Sequence, residues 1–133
     1  MILFLVLALA AAASPGCSRG KRIDRDRAQS EIRSARSFAA ESEIFLDFIL
    51  QGHATRHYAE AHAGYLRDAV EQSAKELDTA AAEPDAADSL RECRIRLREI
   101  ARELSGIPTA TRDRPRLAAA RARLGQIRES LTP

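Results

Sequence analysis

The sequence contains no Trp, and Phe and Tyr together make up only 5% of its 133 residues. Gly and Pro are also scarce, with six and five residues. This composition argues against a β-sandwich, because strands are rich in aromatic and β-branched residues and strand connections need frequent turn residues. Ala, Leu, Arg and Glu dominate instead, and they favour helix. We therefore expect an all-α fold.

A strong charge of one sign is also missing, since 21 basic and 19 acidic residues give a net charge of +2. Nothing in this balance indicates binding to nucleic acid, and we expect no such partner. Catalytic signatures are missing too: there is no Gly-rich phosphate loop, no nucleophile motif and no pair of carboxylates at a recognisable spacing. We therefore expect a protein that is not an enzyme and has no cofactor.

Four segments repeat apolar residues at steps of three and four, which predicts helices over about 24–51, 56–78, 85–104 and 112–131. Phe38, Phe45 and Phe48 widen the first stripe. The stripes comprise Ala28, Ile32, Ala35, Ala39, Ser42, Leu46 and Ile49; Ala59, Ala63, Leu66, Val70, Ser73 and Leu77; Ala86, Leu90, Cys93, Leu97, Ile100 and Leu104; and Leu117, Ala120, Leu124, Ile127 and Leu131.

Turn and capping residues separate the four segments. Gly52 suits a left-handed C-terminal cap, and Thr55 can cap the second helix. Pro84 with Asp85 suits the first turn of the third helix, which we expect Ser105-Gly106-Ile107-Pro108 to end. Thr111 is the expected cap of the fourth helix, with Pro115 in its first turn.

Short connections between the segments predict that each helix runs back along the one before it. We therefore expect an antiparallel, up-down-up-down four-helix bundle over residues 24–133. The alternative is two helical hairpins that dimerise through their apolar stripes, which leaves a homodimer open.

The N-terminus looks like a targeting segment. Ile2 to Ala13 is an unbroken apolar run, too short for the roughly 20 residues that span a bilayer, and Ser14-Pro15-Gly16-Cys17 follows it. This pattern resembles the lipobox of bacterial lipoproteins, in which the cysteine becomes the lipid-carrying first residue. Gly16 fits that motif, whereas Ser14 stands where the family usually has Leu. Secretion with cleavage after Ala13, or an uncleaved apolar tail, are the alternatives.

The resemblance implies a signal peptide over residues 1–16, a lipidated Cys17 and a tether over residues 17–23. It also implies an exported protein that is anchored to a membrane and faces the periplasm, or is secreted to the periplasm if Cys17 stays free. The second cysteine, Cys93, lies in the third apolar stripe, so we expect a buried thiol rather than a disulfide with Cys17. The expected function is a membrane-tethered helical module that binds an unidentified protein or envelope partner or acts as a scaffold.

A histidine cluster is the basis of the second functional hypothesis. His53 and His57 are four residues apart, and Glu60 follows His57 by three, so one helical face could present all three to a metal. His62 points away from that face. The alternative function is therefore a small periplasmic metal-binding bundle; the competing interpretation is a set of polar residues near a hairpin turn.

Two columns of arginines suggest a surface for an anionic partner, such as lipid headgroups, a cell-wall polymer or an acidic protein. The opposing interpretation is a solvated face, in which acidic residues of the same helices lie between the arginines and the acidic first two helices can supply further ion pairs. Tyr58 and Tyr65 share a face of the second helix and are expected to border the core with solvated hydroxyls rather than to bind a ligand. Fully exposed stacking aromatics, which a nucleic-acid groove needs, are expected to be lacking. The arginine columns are Arg94, Arg98 and Arg102 on the third helix and Arg114, Arg121 and Arg128 on the fourth.

Overall fold

The computed structural model describes residues 22–132, and it confirms an all-α four-helix bundle. The predicted signal segment, the lipidation site at Cys17 and most of the predicted tether lie outside these residues. The helices are α1 (Arg25–Leu50), α2 (Arg56–Thr79), α3 (Ala87–Ala110) and α4 (Arg114–Ser130).

The four helices do not pack as a regular square. α2 packs mainly on α3, and α1 packs on α4 and also on α3. By contrast, α1 and α2 make few contacts although only a short turn joins them, and α2 does not contact α4. The helices α1 and α3 therefore lie across the short diagonal of a flattened bundle, which leaves a groove between α1 and α2.

Apolar residues from all four helices form one core within a single chain, so the structure favours the bundle over dimerised hairpins. Every residue of the predicted stripes is buried except Ser73, and Ala74 is buried in its place. Steps of three and four both return to the same face of a helix, so the spacing alone does not distinguish Ser73 from Ala74. The core contains many Ala residues, which lets the helices approach closely.

Side-chain and backbone caps define the helix ends. Thr55 caps α2 by accepting a hydrogen bond from the Tyr58 N–H at 3.2 Å, and Gly52 adopts a φ of +77° after α1, so both predictions are confirmed. The prediction of Thr111 as the cap of α4 is wrong. Asp113 takes that role, and its carboxylate accepts from the Arg116 N–H at 3.0 Å.

The predicted end of the third helix at residue 104 is also wrong, because α3 continues to Ala110 with Pro108 inside it. A proline within a helix costs about 3 kcal/mol through its missing N–H and a clash with the preceding turn. The extra turn and a half buries Ile107 and Ala110 against the core, and burying one Ile side chain alone recovers about 1.5–3 kcal/mol. Core burial therefore outweighs the proline signal.

Ile23 was predicted to belong to the tether, but the structure includes it in the fold. Its N–H donates to the Ala81 carbonyl at 2.8 Å, and its carbonyl accepts from the Glu83 N–H at 2.9 Å. The side chain is buried beside the connection between α2 and α3. Pro84 and Asp85 lie in that connection rather than in α3. The chain therefore enters the bundle at the end opposite the α1–α2 turn.

Candidate interaction surface

Aromatic side chains fill part of the gap between α1 and α2. One face of α2 carries Tyr58, His62 and Tyr65, which are spaced by four and three residues. This face is directed towards α1, because His62 contacts the Phe45 ring. Phe45 and Phe48 meet them from the last turns of α1. We call this surface the aromatic groove, and it consists of Glu41, Ile44, Phe45, Phe48, Tyr58, His62 and Tyr65.

The rings of the aromatic groove hold one another in place. His62 stacks between Tyr58 and Tyr65, with ring centroids 5.4 and 5.9 Å away and interplanar angles of 9° and 25°. Phe45 meets the edge of His62 at 4.7 Å, and Phe48 meets Tyr58 at 6.1 Å. Offset-stacked and edge-to-face pairs are the favoured arrangements of aromatic rings, so these contacts stabilise the observed ring positions.

Much of the aromatic groove is open to solvent. Ile44 is 70% exposed, Tyr65 67%, Tyr58 46% and Phe48 41%, whereas Phe45 is buried beneath them. Within residues 22–132 the remaining exposed large apolar side chain is Ile95, alone on α3. Single exposed apolar residues are common on protein surfaces, but a contiguous set is typical of interaction sites. The groove encloses about 280 Å³, a shallow cleft rather than a closed pocket.

This surface corrects one sequence-based expectation. Tyr58 and Tyr65 do share a face of α2, as predicted, but exposed stacking aromatics are present rather than lacking. A spacing of seven residues places two side chains on one face of a helix, but it does not show whether another helix covers that face. The sequence signal was the 4–3 spacing of Tyr58, His62 and Tyr65 opposite the phenylalanines that end α1.

The charges around the aromatic groove are unequal. Glu41 is exposed and makes no ion pair with any residue that the structure describes. Two arginines of α2 are engaged within their own helix: Arg56 Nε lies 2.6 Å from Glu60 Oε1, and Arg67 Nη2 lies 2.7 Å from the Asp68 carboxylate. The hydrogen bond with Glu60 raises the pKa of Arg56 above its usual value. The rim of the groove therefore carries an unbalanced negative charge.

The histidines and Glu60 of the metal hypothesis are not brought together as a metal site. His53 lies against the Phe48 ring at 5.4 Å, His57 is exposed, and Glu60 pairs with Arg56. Across residues 22–132, no group of three or more His, Cys, Asp or Glu side chains is placed to hold a metal ion. His62, which the hypothesis left aside, contributes to the aromatic groove instead.

The predicted arginine columns do not form one free basic surface. Three of the six arginines join neighbouring helices through carboxylates, as the opposing interpretation expected. The pairs are Arg98 with Asp78 at 2.7 Å, Arg121 with Asp47 at 2.9 Å, and Arg128 with Glu43 at 2.7 Å.

The other three arginines have different surroundings. The Arg94 guanidinium donates to the Ala80 carbonyl at 3.3 Å and so covers the C-terminal end of α2. Arg102 and Arg114 make no ion pair with another residue of the described range 22–132. They lie on different helices, and Arg102 borders a shallow cleft that also contains Glu99 and Glu103. These side chains do not converge on one anion.

No protein-family model, curated protein or solved structure matches this chain. Among residues 22–132, no helix has both the length and the apolar character needed to cross a membrane. Within the described residues, the aromatic groove contains four of the five exposed large apolar side chains.

Proposed function

We propose that this protein is a non-enzymatic cell-envelope lipoprotein, in which a helical bundle is tethered to a membrane through Cys17 and binds a protein partner. The periplasm-facing bundle presents the aromatic groove to that partner. The observation that carries the proposal is the cluster of exposed apolar side chains between two helices that do not close against each other.

The energetics of the aromatic groove support partner binding. Each Tyr or Phe that becomes covered removes apolar surface from water at about 25 cal/mol per Å². Tyr is also enriched among the residues that dominate binding energy at interfaces. Stacking with His62 already restricts the Tyr58 and Tyr65 rings, so little side-chain freedom remains to be lost on binding. The groove therefore has the features of a preformed binding surface.

The position of the aromatic groove supports the tethered arrangement. The chain enters the bundle at Ile23, next to the α2–α3 connection. Helix α1 then carries Ile44 about 30 Å away, at a rise of 1.5 Å per residue. An anchor at Cys17 would hold the opposite end of the bundle, and the groove would remain free to meet a partner.

Metabolic labelling with a lipid precursor tests the anchor. The wild-type protein and a Cys93→Ala variant should incorporate label, because both keep Cys17. Both should also partition with membranes, because stable anchoring needs more than one acyl chain and bacterial lipidation supplies several. A Cys17→Ser variant should lose both properties. Label in the Cys17→Ser variant, or a mature unmodified peptide that begins at Ser14, would contradict the anchor.

Site-specific photocrosslinking in cells tests the binding surface. A photoreactive residue at Tyr65 should give a discrete adduct that an additional Tyr58→Ala substitution abolishes. The matched control is the same residue at Ile95, which is also exposed but lies on α3 outside the aromatic groove. Equal adducts from both positions, or none from Tyr65, would contradict partner binding through the groove.

A further inference from the structure

We infer that the partner segment is an amphipathic helix whose apolar face is bordered by Lys or Arg, and that it lies in the aromatic groove with one cation beside Glu41. This inference rests on the proposed function and specifies the chemistry of the partner. It follows from the position of the groove between two helices, the spacing of its exposed residues and the charge at its rim.

The position of the aromatic groove favours a helical partner. It lies between α1 and α2, which are chain neighbours with few mutual contacts, so an added helix would complete the packing that these two helices leave open. The part of the chain that the structure describes has no strand, only an isolated bridge at Ile23 and Ala82. A sheet edge on which a partner could add a strand is therefore not offered there.

The exposed residues match the repeat of a helical partner. Ile44 and Phe48 are four apart on α1, and Tyr58 and Tyr65 are seven apart on α2. These spacings correspond to about 6 and 10 Å along the helix axes. A partner helix presents apolar anchors at i, i+4 and i+7 over the same distances, so its side chains can pack along both walls of the groove.

Charge complementarity favours a basic partner. Glu41 contributes an exposed carboxylate that no described cation neutralises, whereas Arg56 and Arg67 are held by acidic neighbours on their own helix. The faces of the Tyr and Phe rings also attract cations, by about 0.5–1 kcal/mol at exposed sites. A Lys or Arg at the edge of the apolar face would meet both the carboxylate and the rings.

The same charges disfavour two other occupants. Single-stranded nucleic acid stacks on exposed aromatics but requires a basic groove for its phosphates, and Glu41 makes this rim acidic. A second copy of this chain, docked symmetrically through the same surface, would bring the two Glu41 carboxylates into one interface. Like charges in an interface oppose association. A basic helix from a different protein avoids both conflicts.

Titration with two designed peptides tests the inference. Each is an Ala-rich helix of about 20 residues with Leu at i, i+4 and i+7, a length at which helices become stable in water. One carries Lys beside the apolar face, and the other carries Glu at the same positions. Tyr fluorescence of the protein reports binding, because the peptides contain no aromatic residue. The proteins are the wild type, Glu41→Gln, Tyr58→Ala and the Ile95→Ala control.

The Lys peptide should bind the wild type about fivefold more tightly than the Glu peptide, as expected for one ion pair with a cation–π contribution. Glu41→Gln should reduce this preference to about twofold or less, and higher salt should do the same. Tyr58→Ala should weaken both peptides, whereas Ile95→Ala should change neither. Circular dichroism confirms that each variant is folded.

Equal binding of the two peptides, lost in Tyr58→Ala, would overturn the basic partner while leaving the aromatic groove as a helix-binding surface. Tighter binding of the Glu peptide would also overturn the basic partner. If neither peptide binds but a crosslink at Tyr65 forms in cells, the helical occupant is wrong and the proposed function stands. If neither peptide binds and the Tyr65 crosslink is also absent, both the helical occupant and the proposed function are wrong.

Discussion

The Glu43 carboxylate occupies the space that a side chain at Gly125 would fill. A Cβ atom at position 125 would lie 2.9 Å from Glu43 Oε1, closer than carbon and oxygen atoms normally approach. Glu43 is buried in the contact between α1 and α4, where its Oε2 lies 2.7 Å from Arg128 Nε. The Arg128 Nε–H is not aligned for a hydrogen bond, so the contact is mainly ionic. Gly125 is therefore what allows a buried carboxylate between these helices.

Two glycine substitutions test this relationship. Gly125→Ala should destabilise the bundle by about 1 kcal/mol, because the new methyl group would displace the Glu43 carboxylate from Arg128. Gly64→Ala is the matched control, since a Cβ there meets nothing within 4 Å. It should stabilise the bundle by about 0.5–1 kcal/mol, the usual gain for Gly→Ala within a helix. Urea denaturation measures both changes.

A double substitution separates the steric conflict from other effects of position 125. In a Glu43→Ala background, Gly125→Ala should no longer destabilise and should recover the ordinary helix gain. If Gly125→Ala stabilises the wild type as much as Gly64→Ala does, the proposed conflict with Glu43 is absent.

Two arginines of α4 should differ in importance because their carboxylate partners differ in burial. Arg123 makes two bonds to Glu103, at 2.7 and 2.8 Å, near the surface, so Arg123→Met should cost less than about 1 kcal/mol. Arg128→Met should cost about 2–3 kcal/mol, because it leaves the buried Glu43 without its nearest cation. Denaturant midpoints compare the two variants, and equal losses would show that Glu43 does not depend on Arg128.

The Cys93 thiol should react slowly in the folded protein. Cys93 is fully buried in α3, and burial raises the pKa of its thiol to about 11, above the ordinary value of 9.0. Thiol reagent at neutral pH should label it only as the protein unfolds. Cys93→Ala should cost about 1 kcal/mol or somewhat more, as small changes of core volume do. Rapid labelling of the native protein would contradict its burial.

The same thiol makes stability depend on alkaline pH. The folded state favours the neutral thiol, so the stabilisation is complete below pH 9 and is lost as the pH rises towards 11. Two units of pKa correspond to at most about 2–3 kcal/mol. The wild type should therefore lose more stability than Cys93→Ala between pH 9 and 11. Parallel pH profiles for the two proteins would contradict the raised pKa.

Two positions on α3 test which face of the helix is buried. Leu97 is almost completely buried, whereas Ile95 is 42% exposed. Leu97→Asp should prevent folding or cost several kcal/mol, because it places an unpaired carboxylate in the core. Ile95→Asp should change the stability by less than about 1 kcal/mol. Circular dichroism and thermal unfolding give both results, and similar losses would contradict the orientation of α3.

Most of the fold followed from local patterns in the sequence. The four stripes were predictable because an apolar face must be buried, and helices were predictable because the composition favours no alternative. The end of α3 was not predictable from Pro108, since burial of Ile107 outweighs the local cost of a proline. The cap at Asp113 depended on that end and was missed with it.

The candidate surface was less predictable than the fold. Sequence spacing placed Tyr58 and Tyr65 on one face of α2, but it did not reveal that α1 and α2 would remain apart. That separation depends on how all four helices share the core, which local periodicity does not encode. The arginines posed the same difficulty, because Arg121 and its partner Asp47 are distant in sequence and meet only in the folded bundle.

Mapping the Lys-bordered peptide onto the bundle by backbone amide NMR tests most directly whether the aromatic groove binds a basic helix. We expect shifts concentrated at the last turns of α1 and the first turns of α2, around Ile44, Tyr58 and Tyr65, with little change around Ile95. The same pattern should disappear in Tyr58→Ala. Shifts centred on α3 and α4 would contradict the assignment of the aromatic groove as the binding surface, and no shifts in a folded protein would contradict its occupation by a basic helix.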